Sequence, residues 1–314
     1  MAYVGGPRTD GPRPPAPGRP GFTVMELLVT AGVAVLILGA LYLLLERNVT
    51  LYGQGEAKAD VQQGVRVVLG ELATTLRAAG NGVPRGTTAG TPEALYIFYN
   101  GITGGGEPLV TDATAVTFLG DIDGTAAELT GAVATGGTSV SLATATRDYS
   151  VSLTGGPNTV VVAPSGAFGG APFGTWAFGQ YTGPPGPQNS LPVAALRTPA
   201  GTAANFAPGG GVAALEMVKY ALQGPNLVRR LGLFQGQTSG GSPNVLWAPQ
   251  AETLLDNVVG LTFTYFDANN AAVATVTAPG DPGTIRRLRI GLQVRAGKGL
   301  PDAVHSVDVR LRTL

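Results

Sequence analysis

Gly21-Phe22-Thr23-Val24-Met25-Glu26-Leu27-Leu28, continued without a break by VTAGVAVLILGALYLLL to Leu45, is the stretch on which the reading of this 314-residue chain turns. Leu27 to Leu45 is nineteen residues without a charge, enough at 1.5 Å per residue to cross about 28 Å of hydrocarbon. A membrane-spanning helix over about 27–45 is therefore expected. Residues 1–21 are polar, rich in Pro and Gly, and carry Arg8, Arg13 and Arg19 against a single Asp10, so they cannot build a core. Only Glu46 and Arg47 follow the apolar run closely, and this arginine bias places the N-terminus in the cytoplasm and the bulk of the chain outside. A secretory signal would have a shorter apolar region and a small-residue cleavage site, which Glu46-Arg47-Asn48-Val49-Thr50 does not offer. A plain signal anchor accounts for the span but not for Glu26, because an ionisable group inside an apolar run is costly in lipid and marks function.

Moving outward, Gly53 and Gly55 read as a weakened point, after which a second helical pattern covers about Ala57 to Ala79. Val61, Val65, Val68, Leu69, Leu72, Leu76 and Ala79 recur at steps of three and four, which lays one apolar face along a helix. Gly80-Asn81-Gly82 with Pro84 supplies the stop.

From Asn81 onward short apolar runs alternate with Gly, Pro, Asn and Ser, which predicts a β-rich head over 81–314. The clearest strand is Thr284 to Arg295, with Leu288, Ile290, Leu292 and Val294 on one face. Leu261, Phe263 and Tyr265 alternate with threonines before Asp267-Ala268-Asn269-Asn270, which reads as a hairpin turn into Ala272 to Thr277. A last strand turns Val307, Val309 and Leu311 inward and Asp308, Arg310 and Arg312 outward. The threonine- and valine-rich stretch from Thr125 to Pro164 opens an inserted subdomain over about 125–192. Within that subdomain Gly166 to Pro192, carrying Phe168, Phe173, Trp176, Phe178 and Tyr181, reads as a long loop pinned to the head by its aromatics.

Composition narrows the chemistry. Hydrophobic residues make up 44% and charged residues only 13%, against about 25% charged in ordinary globular chains. Gly 48 and Pro 24 imply many turns. Lys+Arg 20 balances Asp+Glu 20, so no overall basic field gathers nucleic acid or anionic lipid. The absence of cysteine excludes disulfides, thiolate metal sites and a cysteine nucleophile.

The residues Gly21-Phe22-Thr23-Val24-Met25-Glu26-Leu27 resemble the class III signal of type IV prepilins, whose pattern is G, F, T, two apolar residues, then E-L. The leader is longer than is usual there, and Pro20 stands where a basic residue is common, with Arg19 nearest. The resemblance implies a leader over 1–21 that prepilin peptidase removes between Gly21 and Phe22, with methylation of the new Phe22 amine. It implies that Glu26 pairs with the terminal amine of an adjacent subunit, since a carboxylate too costly alone becomes tolerable when paired.

Val218-Lys219-Tyr220, Leu227-Val228-Arg229-Arg230 and Leu254 to Asp267 are similar, more loosely, to the PilW-like minor pilins and the J-type minor pseudopilins of type II secretion. The implied fold is α+β: a long N-terminal helix over 22–80 packed on an antiparallel β-sheet head, pilin-type. The implied function is a minor type IV pilin assembled through its helix into a pilus or its tip complex, serving adhesion, motility or DNA uptake. The alternatives are a type II secretion pseudopilin and a membrane-anchored adhesive protein with no filament role. Implied partners are other pilin subunits, the peptidase, an inner-membrane assembly platform, membrane lipid, and DNA or a surface through the head.

No enzyme, cofactor or metal centre is expected. His305 is the single histidine and falls in phase with Val307 and Val309. No zinc-helix, P-loop or nucleophile-elbow pattern occurs. Asp121 and Asp123 are spaced to clamp Ca²⁺, but Thr130 stands where an EF-hand needs an acid, and a strand-ending turn is the simpler reading. Arg286, Arg287, Arg289, Arg295, Arg310 and Arg312 could share one sheet face if the last two strands are neighbours. N-terminal mass spectrometry of protein from peptidase-bearing cells should find Phe22 methylated at the N-terminus, leaving 314 − 21 = 293 residues; an intact leader would refute the assignment.

Overall fold

The computed structural model describes residues 21, 23–82, 102–104, 107–109, 112–122, 124, 126–144, 148–150, 158–165, 176–198, 201–237, 243–273, 285–297 and 301–311. Helix α1 runs Val24–Arg77. The strands that follow are β1 Ile102–Gly104, β2 Glu107–Leu109, β3 Ala115–Gly120, β4 Ala127–Glu128, β5 Val133–Ala134 and β6 Ser139–Ser141. The middle of the chain adds β7 Thr159–Ala163, β8 Ala177–Gln180, β9 Ser190–Pro192, β10 Asn205–Phe206 and β11 Gly211–Ala214. The last third supplies β12 Glu216–Gln223, β13 Asn226–Gln237, β14 Pro243–Trp247, β15 Glu252–Leu255, β16 Val258–Phe266, β17 Ala272–Val273, β18 Arg287–Val294 and β19 Ala303–Arg310. Every pairing among them is antiparallel, so the layout is α+β: one long N-terminal apolar helix followed by antiparallel sheets.

The chain divides into two compact units, Met1–Gly55 and Glu56–Leu314. In the first, the described residues are helix and its N-terminal approach, and all are solvent-exposed. The helix passes through Gly53 and Gly55 without interruption, although two glycines cost about 1 kcal/mol each relative to alanine. The weakened point read from the sequence is therefore not a break.

In the second unit the helix stripe is sealed. Val65, Val68, Leu69, Leu72, Ala73 and Leu76 are buried in one cluster with Val116 and Phe118 of β3, Val218 and Tyr220 of β12, Leu261, Phe263 and Tyr265 of β16, and Leu288, Ile290 and Leu292 of β18. Two sheets share this cluster: β14-β13-β12-β3, to which β15 adds by pairing with β13, and β17-β16-β18-β19. The Tyr265 hydroxyl joins them by donating to the Asp112 carbonyl at 3.0 Å, and burial pushes its pKa well above the usual phenol value.

Helix α1 ends at Arg77, two residues short of the expected Ala79, and the turn that follows is tied to β3. Gly80 N–H donates to the Leu119 carbonyl at 2.9 Å, and Asp121 N–H to the Asn81 carbonyl at 2.8 Å. Gly120 permits this approach, because a methyl group there would overlap the Ala78 carbonyl oxygen. On the flank, Arg229 of β13 pairs with Glu71 of the helix and with Glu252 of β15. Burial works against the Arg229 charge, but the Glu252 hydrogen bond and the charges of Tyr220, Glu71 and Glu252 outweigh it and raise the guanidinium pKa. A part-exposed ion pair is worth about 1 kcal/mol or less, against roughly 1.5–3 kcal/mol for each fully buried Leu or Val. The apolar stripe holds the helix down, and Arg229 sets its register.

The other face of β12 and β13 carries Met217 and Phe234 into a second cluster with Leu119, Val161, Trp176 and Phe178. Beyond it lies the sheet β4-β11-β7-β8, whose far face supplies Val160, Val162, Ala177, Val212 and Ala214 to a third cluster. This corrects the loop predicted over Gly166 to Pro192. Among its described residues are strands β8 and β9, and Trp176, Phe178 and Tyr181 are core side chains. Phe168 and Phe173 lie outside the described residues. The glycines that suggested a loop allow tight packing instead, since a methyl group at Gly179 would strike the Ala194 carbonyl.

A chain truncated to begin at Gly55 should be soluble and monomeric, whereas one beginning at Asn81 loses the whole stripe and should melt at least 10 °C lower or aggregate. Thermal melts and size-exclusion profiles compare them, and equal stability would mean that the helix contributes nothing to the core.

Candidate functional site

The N-terminal half of α1 has the composition of a core and none of the cover. Val24, Met25, Leu27, Leu28, Leu36, Leu38, Leu41 and Leu43 to Leu45 are each half exposed or more. The helix is long and apolar enough to span a membrane. An exposed apolar surface of this extent requires lipid or another apolar helix.

Glu26 sits at the mouth of this cylinder and is exposed. Its carboxylate is engaged locally: Thr23 N–H donates to Glu26 Oε2 at 3.1 Å and the Thr23 hydroxyl lies 3.2 Å from the same oxygen. In return Glu26 N–H donates to Thr23 Oγ1 at 3.3 Å. This is a reciprocal capping box, in which a Thr and the Glu three residues on satisfy two of the helix's orphan N–H groups. The Thr-x-x-Glu spacing before an apolar run is the signal in the sequence that marks this box. The box occupies Glu26 Oε2 and places the carboxylate at the positive end of the helix dipole. Gly21 is exposed just before it, and Phe22 lies outside the described residues.

The other residues singled out from the sequence fall as follows. Asp121 is buried directly after β3, and its Oδ2 accepts from Ala126 N–H at 2.7 Å, closing a turn. Asp123 lies outside the described residues. Among the described residues no group of three or more His, Asp or Glu is placed to hold a metal ion. His305 is half-buried on β19 opposite Leu292.

Strands β18 and β19 are neighbours, the condition set for a shared arginine face. Arg287, Arg289 and Arg310 share that face, with Arg287 opposite Arg310 and Arg289 opposite Asp308. Asp308, read earlier only as an outward residue, is the hub. Arg287 Nη1 donates to its Oδ2 at 2.9 Å, and Arg289 Nε donates to its Oδ1 at 2.8 Å. The Arg289 hydrogen bond holds the Asp308 carboxyl below the usual range; slight burial opposes this, and the charges of Arg289 and Arg287 reinforce it. Arg287 also stacks 3.9 Å from the Phe266 ring centroid. Arg286 falls on the opposite parity of the strand, Arg295 is exposed beyond its end, and Arg312 lies outside the described residues. The shared arginine face was legible in the sequence as a condition, but which arginines meet, and that Asp308 lies between them, depends on cross-strand register, which is a tertiary property.

No protein-family model matches the chain, and no curated protein matches it in sequence.

Replacing Thr23 by Ala should remove the capping box at a cost of about 1 kcal/mol, read as roughly fivefold faster amide exchange over residues 24–27 in detergent micelles. Unchanged exchange would show that the box does not hold the helix start.

Proposed function

We propose that this protein belongs to the filament-forming pilin superfamily, and within it acts as a minor type IV pilin built into a pilus or its initiating tip complex. The observation that carries the reading is a single uninterrupted helix with two kinds of surface. Its second half is sealed into a β-rich head by the Val65 to Leu76 stripe, and its first half presents uncovered apolar side chains from Val24 onward, with Glu26 among them. The GFTVMEL motif at the mouth of that helix supports the same reading, as does a head closed by antiparallel strands at the C-terminal end.

On this reading the chain is first a single-pass inner-membrane protein, with residues 1–21 cytoplasmic and the head on the far side. After removal of the leader, the apolar half of α1 exchanges lipid for the helices of neighbouring subunits. Glu26 Oε2 remains in the capping box, while Oε1 is available to accept a hydrogen bond from the methylated amine of an adjacent chain. Pairing makes the carboxylate tolerable in a low-dielectric bundle, whereas an unpaired one is strongly unfavourable there. The proposed work of the molecule is assembly through the helix and presentation of the head, with no catalytic step.

Glu26→Val should insert into the membrane as well as the parent chain, since it removes a group that is costly in lipid. It should reduce incorporation into filaments or the tip complex by an order of magnitude or more, measured by immunolabelling and by co-purification with partner subunits. Undiminished incorporation would sink the assembly role given to this carboxylate.

A further inference from the structure

At the end of the sheet β17-β16-β18-β19, beside the last turn of α1, lies an open cleft of about 680 Å³ lined by Arg77, Asn270, Arg287, Asp308 and Arg310. It is independent of the apolar half of the helix, and all its residues belong to the unit Glu56–Leu314.

Three features distinguish it from an ordinary charged surface. First, the lining brings three guanidinium groups to one carboxylate, and that carboxylate is already spent: Asp308 accepts from Arg287 on Oδ2 and from Arg289 on both oxygens. Among the described residues no carboxylate pairs with Arg77 or Arg310. The nearby Asp267 carboxylate is turned into its own hairpin, accepting from Asn269 and Ala271 N–H.

Second, register places Arg287 directly opposite Arg310. Like charges facing each other across an antiparallel pair repel, and a local rule broken without full compensation is the mark of a functional position. Third, Arg287 is pre-positioned. Its guanidinium is stacked on Phe266, fixed by Asp308 through Nη1, and its Nε is buried without a hydrogen-bond partner.

We propose that this cleft is an anion-binding site for a phosphoryl group, free or esterified, gripped between Arg77 at the helix end and Arg287 and Arg310 on the two strands, with the Asn270 amide at its rim. Guanidinium forks match the oxygens of a phosphoryl group bidentately. The Phe266 face is covered by Arg287 and Arg289, so it offers no platform for a base. Recognition is of phosphate and not of sequence. Asp308 is a positioning residue that acts through Arg287 and Arg289. Arg77 brings in the helix that crosses the core, so an occupied cleft ties the end of α1 to the edge strand β19.

The test is calorimetric titration of detergent-solubilised full-length protein with inorganic pyrophosphate, and in parallel with a thymidine tetranucleotide. Saturable binding is expected. It should weaken about tenfold in Arg310→Gln and in Arg77→Gln, the loss of one charge-assisted contact. Arg310→Lys should fall between, keeping the charge but losing the fork. Arg66→Gln, which removes an exposed arginine of the same helix away from the cleft, should bind as the parent does. Tighter binding of the oligonucleotide assigns the site to a phosphodiester backbone, and tighter binding of pyrophosphate assigns it to a free anion. Thermal melts of each variant check folding, and Arg77→Gln, at an exposed helix end, keeps the test open if a strand variant unfolds. The proposal is overturned by an absence of saturable binding, by equal weakening in Arg66→Gln, or by a tetraglutamate peptide that binds as tightly as pyrophosphate.

Discussion

Burial of one helical stripe, Val65 through Ala79, underlies the arrangement of the second unit. Those side chains lie against β3 and β12 of one sheet and β16, β18 and β19 of another, and without them the inner faces of both sheets would meet water. Each large side chain in the stripe outweighs any of the partly exposed ion pairs around it. The hydrogen bonds from Gly80 and Asp121 then fix the helix end onto β3 at a separation that only a glycine at position 120 allows. Sheet packing, helix termination and strand register are thus set by one contact surface.

The same helix carries a second, opposite constraint. Its first half has a core's composition with nothing described to cover it, so the polypeptide is stable there only in a medium other than water. The capping box at Thr23 and Glu26 shows how the helix start is made self-sufficient. Orphan N–H groups that would be expensive in hydrocarbon are met by the chain's own side chains. A carboxylate held in this way is oriented before any partner arrives, which lowers the ordering cost of pairing it. The carboxylate therefore has a structural role at the helix start that engages one of its two oxygens.

Charged groups elsewhere in the second unit act as register devices. Arg229 joins helix, β13 and β15 through Glu71 and Glu252, and Asp308 gathers arginines from β18 onto β19. In both cases a single charge sits between two of the opposite sign, so an order imposed on one pair reduces the entropy lost in forming the next. The low overall charge of the chain makes these few groups conspicuous and concentrates them where strands and helix meet.

Local pattern alone determined several elements. The nineteen-residue apolar run, the three-four spacing from Val61 to Ala79, the Gly-Asn-Gly stop and the period-two strands ending in Val294 and Arg310 were all legible, because each is a property of neighbouring residues along the chain. The Asp267 to Asn270 hairpin was legible for the same reason, and Asn270 takes the left-handed conformation such a turn requires. The glycine- and proline-rich middle was not. Strands β7 and β8 are short and β7 is buried along its whole length, so neither shows alternation, and Trp176, Phe178 and Tyr181 looked like loop aromatics until pairing with β7 placed them in the core. Likewise the sequence held the arginines of β18 and the aspartate of β19, but only antiparallel register set Arg287 opposite Arg310 and Arg289 opposite Asp308. Periodicity is written in one segment at a time; which segments face each other depends on how their buried faces fit together, and only the tertiary structure decides that.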